Sequence, residues 1–414
     1  MNNRRTILVI GSGAREHALC WALRKSPDAG RIYMAPGHGG LEDLAEPIGL
    51  RTEAEIVAFA EQRQALVVVG PEQPLADGLA DKLRARGVAV VGPSAAAARV
   101  ESSKAEAKAL MARLGIPTAA FVTAERPDQA LDALGRFPGG VVVKADGLAQ
   151  GKGVVVAETR REAAQAVLDL MTGRRFGPAG DRVVLEERLA GTEMSFMVLT
   201  DGVRHLALPA SRDYKRLGDN DEGPNTGGMG AIAPHPALTP ALEDAILERI
   251  VAPLLDALAR EGRPFSGVLY AGLMLTDRGP YVLEWNARLG DPETGVVLPL
   301  LHDDLLPYFE GVAAGRLPDR PLRWSGAAVG VVMAAPGYPE QAESGIPIAL
   351  PLEPRALVFQ AGTERVDGTL LNRGGRTLLV VGRDETLPAA RSAAYREVGR
   401  IGFPNAQYRR DIGG

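Results

Sequence analysis

Cysteine is nearly absent, occurring once as Cys20. A single thiol cannot form an internal disulfide, so nothing points to an oxidising compartment, and Cys20 reads as a small buried apolar residue in a helix. No apolar run is long enough to span a bilayer. Met1–Arg5 is short and polar and leads straight into a strand, so no signal peptide is expected and the cytoplasm is the default compartment. No basic block or aromatic–basic stripe occurs, and the net charge is −4, so no nucleic-acid partner is expected. Lysine is scarce too, with seven lysines against forty arginines and none after Lys215. Yet Lys104, Lys144, Lys152 and Lys215 fall in segments that stand out on other grounds. Where arginine is the default cation, a lysine offers a compact, point-like charge.

What is present is the composition of a globular protein, 46% hydrophobic and 24% charged. A chain of 414 residues is too long for one core and implies two to four domains. The first hundred residues alternate strand and helix, with strands at 6–10, 31–35, 65–69 and 88–91. Repeated βα units imply a parallel sheet flanked by helices. The turns Gly11-Ser12-Gly13, Pro36–Gly40, Gly70-Pro71-Glu72 and Gly92-Pro93-Ser94 should then gather at the carboxyl edge, where such sheets bind ligands. Ser103 and Glu106 form a capping box opening a helix to about Leu114, ended by Pro117. A smaller α+β region is expected over about 121–199, a long helix over Pro240–Arg260, and strands at Val268–Leu275 and Tyr281–Asn286. Helix Asp303–Ala314 precedes a linker. Beyond it come strands at 328–333, 356–360 and 377–381 and a helix over 387–401. The division is 1–102, 103–325 and 326–414.

Five segments carry chemical signals. Lys144–Val154 places three glycines and two lysines between two strands, which suits a phosphate; because it joins strand to strand it is not a Walker loop. Glu284 and Asn286 lie two apart on a strand and share a face, as suits Mg²⁺, with Arg288 just beyond for a carboxylate or acyl phosphate. Val184–Leu189, followed by Gly191–Ser195, reads as a strand leaving its sheet at a turn and returning, a shape that could meet an adenine edge. Gly11–His17 resembles a dinucleotide fingerprint, but its third glycine is Glu16 and no acid ends the second strand, which argues against NAD. A phosphate at that helix N-terminus remains open, and His17 reads as a packed helix histidine. Asp213–Arg216 with Gly218–Gly230 is a substrate clamp or a disordered loop.

Together these segments resemble the glycinamide ribonucleotide synthetase family of the ATP-grasp superfamily. The similarity is carried by IGSGAREHA at 10–18, APGHGG at 35–40, VGPEQPLADG at 69–78, KADGLAQGKGV at 144–154, GPNTGGMGA at 223–231, LYAGLM at 269–274 and NARLGDPET at 286–294. GVVMAAPGYP at 330–339 and FQAGT at 359–363 extend it. The resemblance implies a mixed α/β and α+β multidomain fold: a Rossmann-like parallel sheet, a central ATP-grasp pair of subdomains and a small C-terminal α/β domain. It implies ATP-dependent joining of glycine to 5-phosphoribosylamine through a glycyl phosphate, in purine biosynthesis, with Mg²⁺ or Mn²⁺ and with partners limited to these small molecules; a monomer is expected. Lys104, Lys144 and Gly151 would meet the phosphates, and Glu186, Glu187, Leu189 and Glu193 the adenosine. Glu284 and Asn286 would hold the metal. Lys152 would lie in a covering loop over 147–153, mobile without nucleotide. Gly11, Gly13, Gly37, Gly70, Pro71 and Glu72 would bind phosphoribosylamine. Asp213, Arg288, Gly227 and Gly228, with Asp291, Pro292 and Thr294, would lie near the reacting substrates. Tyr214, Ala287, Leu289 and Gly295 depart from the family pattern. The rivals are another ATP-grasp enzyme using bicarbonate or formate, a nicotinamide oxidoreductase, and a nucleotide-sensing module.

Overall fold

The computed structural model describes residues 4–41, 44–149, 153–173 and 176–414. The chain begins with β1 (Arg5–Gly11), α1 (Ala14–Arg24), β2 (Ala29–Pro36), β3 (Glu46–Pro47), α2 (Glu53–Arg63), β4 (Leu66–Val69), α3 (Glu72–Ala76), α4 (Leu79–Ala85), β5 (Ala89–Val91) and α5 (Ala95–Ser102). The strands form a parallel sheet in the order β3-β2-β1-β4-β5. Ile10 pairs with both Ala35 and Val69, so the turns that follow these strands gather at one edge. Alternation along β1 sends Ile7 and Val9 into one core and Leu8 and Ile10 into another. The first core joins this sheet to the C-terminal part of the chain, and the second joins it to the central sheet.

Helix α6 (Lys104–Leu114) follows. Ser103 caps it by accepting from the Glu106 amide, but the box is not reciprocated, because the Glu106 carboxylate pairs with Arg99 and Arg263. The helix stops at Gly115, whose left-handed φ of 68° closes the last turn ahead of Pro117. Next come β6 (Phe121–Ala124), α7 (Pro127–Ala133), β7 (Val141–Ala145), β8 (Val154–Ala157), α8 (Arg160–Met171) and β9 (Val183–Glu187), a four-stranded sheet β6-β9-β7-β8 with its own core. This unit's sheet ends at Glu187. β10 (Thr192–Asp201) runs in a different sheet, β11-β10-β16-β17, so residues 192–199 do not belong to the smaller unit. The reading of a strand that leaves its sheet and returns is therefore corrected: the chain crosses at 188–191 and does not come back. The long hydrophobic register of β10 on β16, from Thr192–Leu275 to Asp201–Ser266, fixes that course.

β11 is His205–Ala207, and β12 (Arg212–Asp213), the hairpin β13 (Arg216–Gly218) and β14 (Glu222–Asn225), and β15 (Gly230–Ala233) follow it. The expected long helix is α9 (Pro240–Ile246), one π turn over Leu247–Val251 and α10 (Ala252–Arg260). Pro253 lacks an N–H and would crowd a carbonyl of the preceding turn, which a widened turn relieves. β16 (Ser266–Thr276) and β17 (Gly279–Asn286) complete the central sheet. After α11 (Thr294–Val297) and α12 (Leu306–Ala313) come β18 (Ala327–Ala334), β19 (Leu357–Gln360), the hairpin β20 (Thr363–Val366) and β21 (Thr369–Asn372), β22 (Arg376–Asp384) and α13 (Leu387–Val398). The C-terminal sheet, β12-β15-β18-β22-β19, is antiparallel and takes two strands from the stretch before the long helix. The central and C-terminal parts are thus built into one another.

Helix α13 lies directly on β22. A Cβ at Gly382 would overlap the Ala390 carbonyl oxygen and the Ala394 nitrogen. Gly382→Ala is expected to push the helix off the sheet and cost about 1–3 kcal/mol. A lowered thermal midpoint checks this; an unchanged midpoint would mean that the helix does not pack so closely.

Candidate active site

The cleft is assembled from the N-terminus of α6, the end of β7 and the end of β17. Asp146, just past β7, accepts from the Ala105 amide (2.6 Å) and from Ser103 Oγ (3.1 Å), and Arg182 reaches it at 2.6 Å. An acid at a helix N-terminus is favourable, and here it pins the glycine loop to α6. Lys104 Nζ then donates to the Gly147 carbonyl at 3.0 Å. Gln150 lies outside the described residues, as do the expected phosphate residue Gly151 and the expected covering-loop residue Lys152.

Lys144 spans the cleft. Its Nζ donates to the Leu283 carbonyl on β17 at 2.9 Å and lies 2.9 Å from Glu186 Oε1, an ion-pair contact whose angle makes no hydrogen bond. The other carboxylate oxygen of Glu186 accepts from Lys108 at 2.7 Å, and Lys108 also reaches Thr118. The Leu283 carbonyl is available because the ladder skips its residue: Gly272 pairs with Glu284 and Leu273 with Val282. Such a bulge re-aims the residues around it. Burial pushes Lys108 down to about 8, against the pull of Glu186. Sequence reading passed over Lys108, although it is another of the rare lysines and sits four residues from Lys104, on the same helix face.

Glu284 and Asn286 emerge on the cleft side while Trp285 is buried, its indole N–H on Met111. Burial alone would raise the Glu284 carboxyl, but Lys215, Lys144, Lys104 and Arg288 outweigh it and hold it below the usual range. Among the described residues no side chain forms a hydrogen bond or ion pair with Glu284 or with the Asn286 amide, while Lys104, Lys108, Lys144 and Lys215 are each engaged elsewhere. An ionised carboxylate and an amide oxygen, both unspent, fit Mg²⁺, which takes few protein ligands. No group of three or more His, Cys, Asp or Glu capable of holding a metal occurs among the described residues.

Of the adenosine candidates, Glu186 is the buried carboxylate between two lysines, Glu187 lies 3.6 Å from Arg278, and Glu193 holds Lys215 at 2.6 Å. Leu189 lies in the crossing segment between the two sheets.

Arg288 lies just beyond β17. Its Nε lies 3.1 Å from Glu72 and its other nitrogens reach Glu101 (3.5 Å) and the Leu289 carbonyl (3.1 Å). Glu72, placed by resemblance on a different substrate, is thus joined to Arg288. Glu101 was missed; it also accepts from the Ala287 amide at 2.8 Å. An acid in the last turn of a helix opposes the dipole, and that misfit was the available signal. Asp213 is enclosed and its Oδ1 has no hydrogen-bond partner. Burial first, then the nearby Glu293, raises its carboxyl well above the usual range. Glu293 itself accepts from Tyr270 (2.6 Å) and Ser195 (3.1 Å). Thr294 is fully buried and donates to the Gly290 carbonyl at 2.6 Å, so it serves the turn.

A cavity of about 990 Å³ lies between the N-terminal turns and the C-terminal sheet, lined by Gly13, Gly37, Asp291 and Pro292 among others, and by Tyr338 and Arg376 from the C-terminal unit. Gly11, Gly70, Pro71 and Glu72 are not in its lining. The Glu16 carboxylate packs against Gly11 and Gly70 and accepts from the Gly13 amide at 2.7 Å. The start of α1, a candidate anion site, therefore already faces a carboxylate of the chain. His17 is a packed histidine, accepting from the Gln360 amide at 3.1 Å and stacked on His38 at 5.1 Å.

Residues 5–101, 102–294 and 328–414 match the N domain, the ATP-grasp (A) domain and the C domain of phosphoribosylglycinamide synthetase. The chain is 46% identical to a phosphoribosylamine–glycine ligase of Ralstonia nicotianae over 98% of each. It is 45% identical to the trifunctional purine biosynthetic protein adenosine-3 of Gallus gallus, over 98% of this chain and 42% of that one. The crystal structure of phosphoribosylamine–glycine ligase from Thermotoga maritima has a TM-score of 0.89 at 37% identity, over 98% of this chain and 99% of that one. The biotin carboxylase domain of the Hydrogenobacter thermophilus 2-oxoglutarate carboxylase has a TM-score of 0.76 at 16% identity, over 98% and 91%, a likeness of fold alone.

Burial lowers His38 from 6.5 to about 4, so the folded protein resists a proton that the unfolded chain accepts. Its stability contribution is present above pH 6.5 and is lost as pH falls from there toward 4. His38→Asn keeps an acceptor for the Gly40 amide, which now donates to His38 Nδ1. The variant should lose about 2 kcal/mol less stability than the parent between pH 7 and 4.5. Denaturant midpoints at the two pH values check this, and equal losses would refute it.

Proposed function

The chain belongs to the phosphoribosylglycinamide synthetase family, and from that premise we propose that it joins glycine to 5-phosphoribosylamine with ATP, through a glycyl phosphate. The observation that carries this reading is the span of Lys144 from β7 to the Leu283 carbonyl, which brings the lysine cluster beside Glu284. Cations suited to phosphate and a carboxylate suited to a metal then face one another, which supports the reading. No helix among the described residues is long and apolar enough to cross a membrane. We place the reaction in the cytoplasm, in keeping with the single buried thiol of Cys20.

A carboxylate does not acylate an amine until one of its oxygens becomes a leaving group. In the first step a glycine carboxylate oxygen takes the γ-phosphoryl group and ADP leaves. In the second the phosphoribosylamine nitrogen attacks the acyl carbon and phosphate leaves. Phosphoryl transfer needs mainly positioning and charge neutralisation. Lys104 and Lys144 supply fixed positive charge near the phosphates, where one pair at 4 Å contributes roughly 4 kcal/mol in an intermediate dielectric. Glu284 and Asn286 would hold Mg²⁺, which when bound neutralises phosphate oxygens. Arg288, kept charged by Glu101 and Glu72 despite its burial, orients the amino-acid carboxyl group. The unpartnered Oδ1 of Asp213 offers an acceptor for the substrate's ammonium.

The decisive measurement is ADP release with ATP, Mg²⁺ and phosphoribosylamine, with and without glycine. Release that needs glycine supports the reading; release supported by bicarbonate or formate instead would replace it with the rival ligases. Glu284→Ala should abolish ADP formation with the circular dichroism unchanged, and full activity would reject the metal assignment. Arg288→Ala should lower glycine-dependent turnover by about a hundredfold or more while ATP-analogue affinity changes little; equal losses in both would remove Arg288 from the amino-acid site.

A further inference from the structure

The turn over Thr226–Gly228 has a course that its own sequence does not impose. The Thr226 hydroxyl accepts from the Gly228 amide at 3.0 Å and donates to the Lys215 carbonyl at 2.8 Å, closing the turn on its own strand side. The Gly227 peptide, however, is held from elsewhere. Its N–H donates to the Tyr338 hydroxyl at 3.0 Å, and its carbonyl accepts from Arg376 Nη1. The same nitrogen of Arg376 reaches the Asp291 carbonyl at 3.0 Å and Asp291 Oδ1 at 3.2 Å. One guanidinium at the start of β22 therefore ties two loops: the glycine turn and the turn that follows β17.

The closeness of these parts leaves little freedom. A Cβ at Gly227 would come within 3.0 Å of the Arg376 guanidinium carbon. At Gly228, where φ is +109°, a Cβ would come within 2.6 Å of Asp213 Oδ1 and 2.5 Å of Pro292. The turn thus lies between Arg376 and Tyr338 on one side and the unpartnered oxygen of Asp213 on the other. Tyr338 is itself fixed, its ring packed over Gly375, the residue before Arg376. A turn rich in glycine has many conformations to lose, and an external pair of hydrogen bonds selects one of them.

We propose that Tyr338 and Arg376 are positioning residues of the amino-acid half-site, clamping the Gly227 peptide from both ends so that the turn shapes the space at Asp213. The C-terminal unit thereby completes the glycine site without touching the phosphate cleft. This rests on the ligase reading above.

The test compares Tyr338→Phe, Arg376→Gln and Arg376→Lys with the parent enzyme, all as full chains. The parent must first show glycine-dependent ADP release; if it does not, the ligase reading fails before the clamp is tried. Given that release, Tyr338→Phe and Arg376→Gln should each raise the glycine KM about fivefold to tenfold, the loss of one or two hydrogen bonds, with ATP-analogue affinity unchanged. Arg376→Lys should recover part of the loss, because all these contacts are made by the one nitrogen Nη1, and an ammonium keeps the charge and the donors of one nitrogen but not the planar guanidinium that aims it. An unchanged glycine KM in both Tyr338→Phe and Arg376→Gln overturns the proposal. So does a uniform rise for all three substrates accompanied by a lowered thermal midpoint, which would mark a purely structural role.

Discussion

An ammonium group buried between two sheets must be paired, and the pairing of Lys144 sets the geometry of everything around it. Its tether to the Leu283 carbonyl draws β17 toward β7, and its contact with Glu186 commits that carboxylate inside the cleft. Lys108 then balances the second oxygen of Glu186. The bulge at Leu283 is the backbone's share of the arrangement: one residue left out of the ladder frees a carbonyl for the lysine and lets Glu284 and Asn286 share the open side. Without that bulge the strand would offer its carbonyl to its neighbour, and the two sheets would lack a polar link at this point.

The N-terminal sheet gives a second lesson in how a familiar shape is turned to another use. Its β1–α1 turn has the outline of a dinucleotide site, but Glu16 stands where a glycine would allow close approach, and its carboxylate takes the Gly13 N–H. A pyrophosphate would meet a negative charge there. The sheet's carboxyl edge instead faces the C-terminal strands, and the cavity between them belongs to both. This is why Asp291 and Pro292, from the central part of the chain, line the same space as Gly13 and Gly37.

Much of this was legible in the sequence where the signal is local. The parallel sheet follows from strand–helix alternation, and the shared face of Glu284 and Asn286 from a period of two. Helix caps were read at Ser103 but not the fate of Glu106, whose partners Arg99 and Arg263 lie elsewhere. The β20–β21 hairpin was not expected, because Glu364 and Arg365 give its strands no clean apolar alternation. The crossing at 188–191 was misread as a return, since periodicity shows a strand but not its sheet. Tyr338 and Arg376 were illegible for a stronger reason: their contacts with Gly227 span 111 and 149 residues. No window along the chain contains both partners.

The positions expected to depart from the family pattern fit the same division. Tyr214 is buried; its hydroxyl accepts from the Gly413 amide at 3.2 Å and its ring lies under Arg212 and Arg409. A side chain at Gly295 would overlap Leu379 of β22, so the small residue and the large neighbour form one packing unit. Both contacts fasten central segments to the C-terminal sheet, and neither residue directs a polar group into the lysine cleft. Substitutions of this kind change how two parts of the molecule are joined. They leave the charges around Glu284 as they are, because those charges come from Lys104, Lys144, Lys215 and Arg288. Variation at these two positions is therefore a change of packing between two parts of the molecule and not of the charge in the cleft.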